Sequence, residues 1–474
     1  MLGSGSLLTA SLDSFVPRHQ LAGIGAGRPE MTPQALAART RRMIQSQTFA
    51  IMREPQAVAG AEIITGRRLA PAFRRAAEES GLPISVIMAM AYLESRGDSQ
   101  ATSPSGPRGL MQFSEATARA AGLRVIRTTH FQTVTDHQMV RTKKGRTVSR
   151  KVRHKIPYTV TVRDDRLNPL RAAPAAARYV ARLETKFGSL DWAIFAYHCG
   201  EGCASDLVPL TQAAVQHKQP TVAEMFFAAN PARHAELYQA LQREMQRDYS
   251  PTYWFRVKRG EQLLALYQED PAAFRALAQE YQNPIHPERR AADRLTVWLK
   301  SSDLFFRTRE ELRLATGSSL ARVLDDPAFF GFSLPEMADG PDRELYLQDT
   351  PAAIGTLLYI AFETRRLFQE LHPAGETFVP LRVAELVSTT ERPAEAGMIL
   401  VDPEFPEHST GQVFDIDRSN LPRGERQCLN FILDDLGWDG CLGFIQVTGD
   451  TVHIGCSPES REFFASVFQE AAAR

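Results

Sequence analysis

No apolar run in the chain reaches the roughly 20 residues a membrane-spanning helix needs. Charge of one sign is equally lacking. Lys and Arg number 55 against 55 Asp and Glu, so no global field steers the protein to nucleic acid or to a membrane surface. Cysteine is scarce: Cys199, Cys203, Cys428, Cys441 and Cys456 are five among 474 residues. That excludes a dense disulfide framework, and an odd count leaves at least one thiol unpaired within the chain. The opening MLGSGSLLTASLDSF lacks the basic region and long apolar core of a secretory signal. Residues 1–30 read instead as a flexible lead. No convincing internal repeat is present. With 43% apolar and 23% charged residues the composition is that of a folded protein, and 474 residues predict two or three domains.

What the chain does have is one stretch around which the rest is organised, Gly81 to Ala118, reading GLPISVIMAMAYLESRGDSQATSPSGPRGLMQFSEATA. Pro83 opens a predicted helix. Ile84, Ile87, Met88 and Ala91 recur on one face, while Val86, Met90 and Leu93 cover much of the other. A helix apolar almost all round is a core helix, and segments 32–56 and 67–80 are expected to brace it. Glu94 falls seven residues after Ile87, on the buried stripe near the last turn. A carboxyl group against apolar walls is disfavoured in its charged form, which suits a general acid at neutral pH. A lone Glu at a helix end more often frays into solvent. Its neighbours tip the balance here.

Those neighbours are Ser95, Gly97-Asp98, Ser103-Pro104, Gly109-Leu110-Met111-Gln112 and Thr117-Ala118. Together with Glu94 they resemble the signature of soluble lytic transglycosylases, lysozyme-like enzymes that cleave peptidoglycan glycan strands. A later block, AIFAYHCGEG over Ala193–Gly202, resembles that family's Ala-Tyr-Asn-x-Gly motif. The resemblance covers roughly residues 70–205 and implies Glu94 as the catalytic acid, with Ser95, Gln112 and Tyr197 at the sugar cleft. It implies no cofactor. Ser114 stands where proline is usual, His198 where asparagine is usual, and a long insert separates the two blocks.

The insert, 127–166, alternates β-favouring residues around Lys144-Gly145, which predicts one or two hairpins. Eight Lys or Arg and no acid lie between Arg141 and Lys155. Such a run is usually a solvated tip; the sharper reading is a clamp for an anionic polymer, with peptidoglycan, teichoic acid and nucleic acid as the candidates. No interleaved aromatic set supports nucleic acid as that polymer. Cys199 and Cys203 could pair or remain two small thiols. Residues 207–370 read as almost wholly helical, and 251–373 as a helical connection.

Strand signals return from Thr377, interrupted by a helix carrying Leu429, Ile432, Leu433 and Leu436, which predicts an α+β domain over 374–474. Within it His408 and Asp415 flank a glycine turn, and Asp450-Thr-Val-His453 follows. Two histidines and a carboxylate, with a fourth position left for water, make a plausible catalytic zinc set. The pattern resembles the LAS group of zinc D-Ala-D-Ala peptidases. By that resemblance His408, Asp415 and His453 hold zinc, Asp450 takes the general-base place usually held by Glu, and Arg392 stabilises the oxyanion.

The expected architecture is therefore multidomain: a mostly α lysozyme-like domain over 31–250 with a β-hairpin insert, a helical middle, and a C-terminal α+β domain. The expected activity is transglycosylase cleavage of the MurNAc–GlcNAc bond of peptidoglycan, with a possible zinc peptidase acting on peptide stems in the bacterial cell envelope. No nucleic acid and no transmembrane segment are expected. Two rivals stand beside it. One is muramidase hydrolysis with Glu201 as a second carboxylate, and the other a non-catalytic peptidoglycan-binding or assembly protein.

Overall fold

The computed structural model describes residues 31–282 except 142, 144 and 249, then 304–334, 342–372, 376–390 and 407–474. The lead expected over 1–30 lies outside them. Along the chain come α1 (Pro33–Met52), α2 (Ala57–Thr65), α3 (Ala70–Ser80), α4 (Ile84–Ser95) and α5 (Glu115–Ala120). Strands β1 (Val125–Arg141) and β2 (Thr147–Asp164) follow, then α6 (Pro169–Phe187), α7 (Leu190–Cys199) and α8 (Glu201–Val215). Next are α9 (Val222–Ala228), α10 (Ala235–Asp248), α11 (Tyr253–Glu269) and α12 (Pro271–Gln282).

Two compact units emerge, and neither is continuous in sequence. The first comprises residues 50–206 and 247–279; the second comprises 1–49, 207–246 and 280–474. This differs from the division drawn on the sequence, which set 251–373 apart as a connection.

The first unit is built on α4, whose Val86, Ile87, Ala89, Met90, Ala91 and Tyr92 are buried. Ile84, in its first turn, is exposed rather than core. The Tyr92 hydroxyl donates to the Ala57 carbonyl at 2.9 Å, fixing α2 to α4. α3 and α6 pack together, as do α6 and α7. Local chemistry sets the ends: Asn168 caps α6 with Pro169 at its first position, and the Ser189 side chain accepts from the Asp191 N–H at the start of α7. α11 packs against α4, burying Tyr253, Trp254, Phe255, Val257, Gly260, Leu263 and Leu264. The Trp254 indole N–H also donates to Asp191 at 2.7 Å. Nothing in the sequence of α11 names this partner, and 251–373 was expected to be a helical connection. All five cysteines, Cys199 and Cys203 included, are free thiols.

β1 and β2 form a two-stranded antiparallel ribbon with an unbroken register from Arg127↔Thr161 to Arg141↔Thr147.

The second unit holds β3 (Ala321–Arg322), β4 (Phe332–Ser333), β5 (Gln348–Asp349), β6 (Leu381–Glu385), β7 (Val413–Asp417), β8 (Leu442–Thr448) and β9 (Thr451–Cys456). Its later helices are α13 (Arg309–Ala315), α14 (Pro351–Leu371), α15 (Arg423–Asp439) and α16 (Arg461–Ala472). Five strands make one mixed sheet in the order β4-β6-β7-β9-β8, parallel only between β4 and β6. α14, expected in the connection, is the spine of this unit and is buried along most of its length. It meets α16 so closely that a Cβ on Gly355 would lie 1.8 Å from the Phe464 carbonyl oxygen, so only glycine fits. The 207–370 region is also less helical than expected. β3, β4 and β5 are two residues each, too short for a period-two pattern to declare itself. Arg39 on α1 is buried and ion-paired to Asp435 at 2.6 Å and Asp439 at 2.7 Å on α15, which ties the first helix into this unit.

Candidate active site and metal-ligand cluster

In the first unit α4 runs out at Ser95, and Arg96 turns into the left-handed region (φ 52°). Glu94 thus sits in the last turn with its side chain 13% exposed. Tyr253, the first residue of α11, donates its hydroxyl to Glu94 Oε1 at 2.7 Å, across 159 positions of sequence. Burial and the Glu94 charge hold the Tyr253 phenol well above its ordinary range, so it remains a donor at neutral pH. His198 lies flat on the Tyr253 ring, centroids 4.3 Å apart and planes 3° from parallel. Its Nδ1 is 3.9 Å from Glu94 Oε1.

The Gly109–Gln112 loop is held from three sides. Ser95 Oγ donates to the Leu110 carbonyl at 2.8 Å, the Tyr197 hydroxyl donates to that of Met111 at 2.7 Å, and the Gln112 amide donates to that of Gly109 at 2.9 Å. Gly109 is indispensable: at φ 79° a Cβ would meet the Arg166 carbonyl oxygen at 2.0 Å. Phe113, Tyr179 and Tyr197 pack mutually, with centroids 6.0–6.4 Å apart. Ser114 has a local reason to be there, since its hydroxyl caps α5 by accepting from the Thr117 N–H.

The Tyr197 hydroxyl serves the loop, and the hydroxyl that meets Glu94 is that of Tyr253. Ser95 Oγ and the Gln112 side-chain N–H likewise donate to loop backbone. Glu201 forms ion pairs with Lys186 at 2.7 Å and Arg182 at 3.1 Å, and the Lys186 hydrogen bond leads in holding its carboxyl below the usual range.

Residues 71–138 match the Transglycosylase SLT domain. Over 131 residues the chain is also 35% identical to the peptidoglycan transglycosylase gp16 of Escherichia phage T7. That alignment takes in 27% of this chain and spans only 7% of the phage protein's length. The SLT match contains Glu94, Ser95 and the Gly109–Gln112 loop; Tyr197, His198 and Tyr253 lie beyond it.

The second unit carries a separate cluster. His408 sits in the 3₁₀ turn Glu407–Thr410, Asp415 in the middle of β7, and His453 directly opposite Asp415 on β9. Strand pairing therefore brings the last two together, and the turn at Gly411 folds His408 back over them. Asp415 Oδ1 lies 3.1 Å from His408 Nε2 and 2.7 Å from His453 Nδ1. One ligand atom from each residue falls within 4.8 Å of the others, and all three side chains are buried. His408 Nδ1 stands 2.9 Å from the Leu386 carbonyl. With Nδ1 turned to that carbonyl, Nε2 is the ring atom that faces Asp415, the outer-shell arrangement that orients metal-binding imidazoles. Two imidazole nitrogens and a carboxylate oxygen so placed fit a zinc ion.

The electrostatics are tightly balanced. Burial opposes a charge on His408, but Glu385 and Asp415 outweigh it and hold the imidazole well above its ordinary value. The His408 charge in turn keeps Asp415 low against its own burial.

Asp450 is not brought to this cluster. It lies in the turn between β8 and β9, half-exposed, with its carboxylate 3.0 Å from Arg426. Asp450 precedes β9 rather than lying on it, and its carboxylate is spent on Arg426, so the spacing that suggested a base beside His453 does not bring one there. Arg392 lies outside the described residues. The sequence reading missed two carboxylates that do approach. Glu385 on β6 has Oε2 3.9 Å from His408 Nε2. Asp349 on β5 is fully buried, neither of its oxygens has a hydrogen-bond partner among the described residues, and burial first, then Glu385 and Asp415, pushes its carboxyl well above the usual range. A two-residue strand gave no pattern by which to find it.

Proposed function

We propose that the chain cleaves the bond between MurNAc and GlcNAc in peptidoglycan by non-hydrolytic transglycosylation, with Glu94 as the only acid/base. The observation that carries this is the Tyr253–Glu94 hydrogen bond inside a unit whose residues 71–138 match the SLT domain. The Glu94 carboxyl gives its proton to the bridging oxygen as the glycosidic bond breaks. The resulting carboxylate then takes the proton of the sugar's C6 hydroxyl while O6 closes on C1, leaving a 1,6-anhydro end. Tyr253 donates to Oε1, stabilises the carboxylate between those two steps, and leaves Oε2 for the substrate. Glu201 is engaged by Lys186 and Arg182, which disfavours the two-carboxylate hydrolysis of a muramidase. The site of action would be the bacterial cell wall. Mass spectrometry of muropeptides from digested sacculi tests the reading, because anhydro ends are one water lighter than hydrolysed ones. Reducing ends alone would replace it with hydrolysis, and no cleavage would leave a binding role.

We also infer that His408, Asp415 and His453 hold one zinc ion, on the strength of their separation and the His408–Leu386 contact. A bound zinc supplies a Lewis acid and an acidified water. Action on peptide stems would need a base other than Asp450, and Glu385 is the carboxylate nearest His408 Nε2 after Asp415. Elemental analysis of full-length protein purified with zinc available is the test; folded protein without stoichiometric metal would end it.

A further inference from the structure

The β1–β2 ribbon is two-faced. In an antiparallel pair, directly opposed residues share a face and successive residues alternate. The pairs Thr133↔Lys155, Thr135↔Arg153 and His137↔Lys151 therefore put Lys151, Arg153 and Lys155 in one row, about 7 Å apart. That face carries no Asp or Glu between Arg127 and Thr161, and these three cations have no ion pair among the described residues. The opposite face holds Val134, Val152, Ile156, Tyr158 and Val160, and the ribbon's one acid there, Asp136, sits 3.7 Å from His154. A charge run that merely kept a hairpin tip in solution would have no reason to segregate in this way.

The ribbon is also rooted in the candidate active site. The Asp165 carboxylate accepts from the Arg124 N–H at 3.1 Å, from Arg163 at 2.9 Å and from Arg171 at 3.0 Å. Arg166, buried at the foot of β2, reaches the Phe113 carbonyl at 3.2 Å, and its own carbonyl is the surface against which Gly109 closes. The foot of the ribbon and the loop beside Glu94 are thus one packed piece. From there 17 residues of β1 reach about 55 Å.

We propose that the Lys151/Arg153/Lys155 face is a docking surface for a peptidoglycan strand, whose peptide stems present carboxylates at intervals along the glycan. This rests on the reading of peptidoglycan as the polymer cleaved. Charge complementarity selects the occupant. Phe131 and Pro157, opposed across the strands at the near end of the row, add an apolar step suited to the carbon face of a sugar ring. A membrane surface is the poorer match, because insertion needs the apolar side chains and the basic ones to meet one bilayer together, and here most of them point apart. Single-stranded nucleic acid would call for a series of stacking aromatics; Phe131 stands alone on this face, and the stacked His130–Tyr158 pair is on the other.

The experiment uses the full chain carrying Glu94→Gln, which separates binding from turnover, in co-sedimentation with purified sacculi over a range of salt. Adding Lys151→Ser, Arg153→Ser and Lys155→Ser together is expected to weaken binding roughly tenfold at low salt. The difference should close as the screening length falls from ~10 Å at 0.1 M to ~3 Å at 1 M. Arg150→Ser, which removes a cation from the opposite face, should leave binding unchanged, and Lys151→Arg with Lys155→Arg should retain it. Equal binding by parent and triple variant at every salt overturns the proposal. So does an equal loss from Arg150→Ser, or a parent that prefers single-stranded DNA or anionic vesicles to sacculi. Cleavage by the wild-type chain is scored separately. Anhydro products with ribbon-independent binding sink the docking surface alone, whereas ribbon-dependent binding without any cleavage sinks the catalytic reading alone.

Discussion

The two candidate sites gather ionisable groups in opposite ways. Around Glu94 one carboxyl meets a neutral donor, Tyr253, with an aromatic histidine face behind that donor and part of the acid still open. Around His408 two imidazoles and the carboxylates of Asp415, Glu385 and Asp349 crowd into an interior where each sets the charge of the others. A carboxyl with a single hydrogen-bond donor can give up a proton and take one back without rearranging its surroundings. A buried cluster with more carboxylates than imidazoles has acceptor oxygens in excess, and leaving them unpaired is costly. The first arrangement suits proton transfer and the second suits metal binding.

The largest effect that could break this contrast is at Glu94. Glu94→Gln keeps the shape and removes the proton donor, so release of anhydro-muropeptides from sacculi should fall by several powers of ten with the melting transition unchanged. Near wild-type release would take the acid away from this residue. Next comes Tyr253→Phe. Losing a hydrogen bond to a charged group costs about 1.5–3 kcal/mol, or roughly ten- to a hundredfold in kcat. Tyr197→Phe would act differently, by loosening the Met111 carbonyl, so KM should rise along with the fall in rate. If the two variants lost activity in the same way, the separation of acid partner from loop partner would fail.

For the second unit the expected effect is on stability. Zinc bound only to the native state contributes about 2.7 kcal/mol at a hundredfold excess over its Kd. Chelation should therefore lower the melting transition of the full chain. His408→Ala should abolish that response and the bound metal together. A chelator response that survived His408→Ala would place the ion elsewhere.

Much of this was legible locally and little of it at long range. The apolar helix α4, the Gly109–Gln112 loop and the α7 block are contiguous strings whose own chemistry fixes them. A family signature could be read off them residue by residue. Tyr253 could not be found in that way. Its segment reads only as part of a helical connection, and the bond to Glu94 crosses 159 positions. The units interleave in sequence, with α1 fixed to α15 through Arg39 and with α14 as the spine of the second unit, an organisation that boundaries drawn where composition changes do not express. In the cluster, His408, Asp415 and His453 followed from spacing because a turn and a strand pair convert spacing into proximity. Asp450 did not, because spacing carries a residue's identity but not the direction of its side chain.

The smallest expected effect tests that last point. Asp450→Ala removes a half-exposed ion pair with Arg426, and such pairs contribute less than about 1 kcal/mol. Metal content and the chelator response should be unchanged, since the Asp450 carboxylate is paired with Arg426 and is not among the clustered ligands. Glu385→Gln provides the contrast, because it alters a buried group 3.9 Å from His408 Nε2 and lowers the negative charge available to a cation. Zinc affinity should weaken in Glu385→Gln and stay constant in Asp450→Ala, measured by competition with a chromophoric chelator. The reverse order would mean that Asp450 swings toward the cluster when metal binds. The turn between β8 and β9 would then act as a moving part of the site.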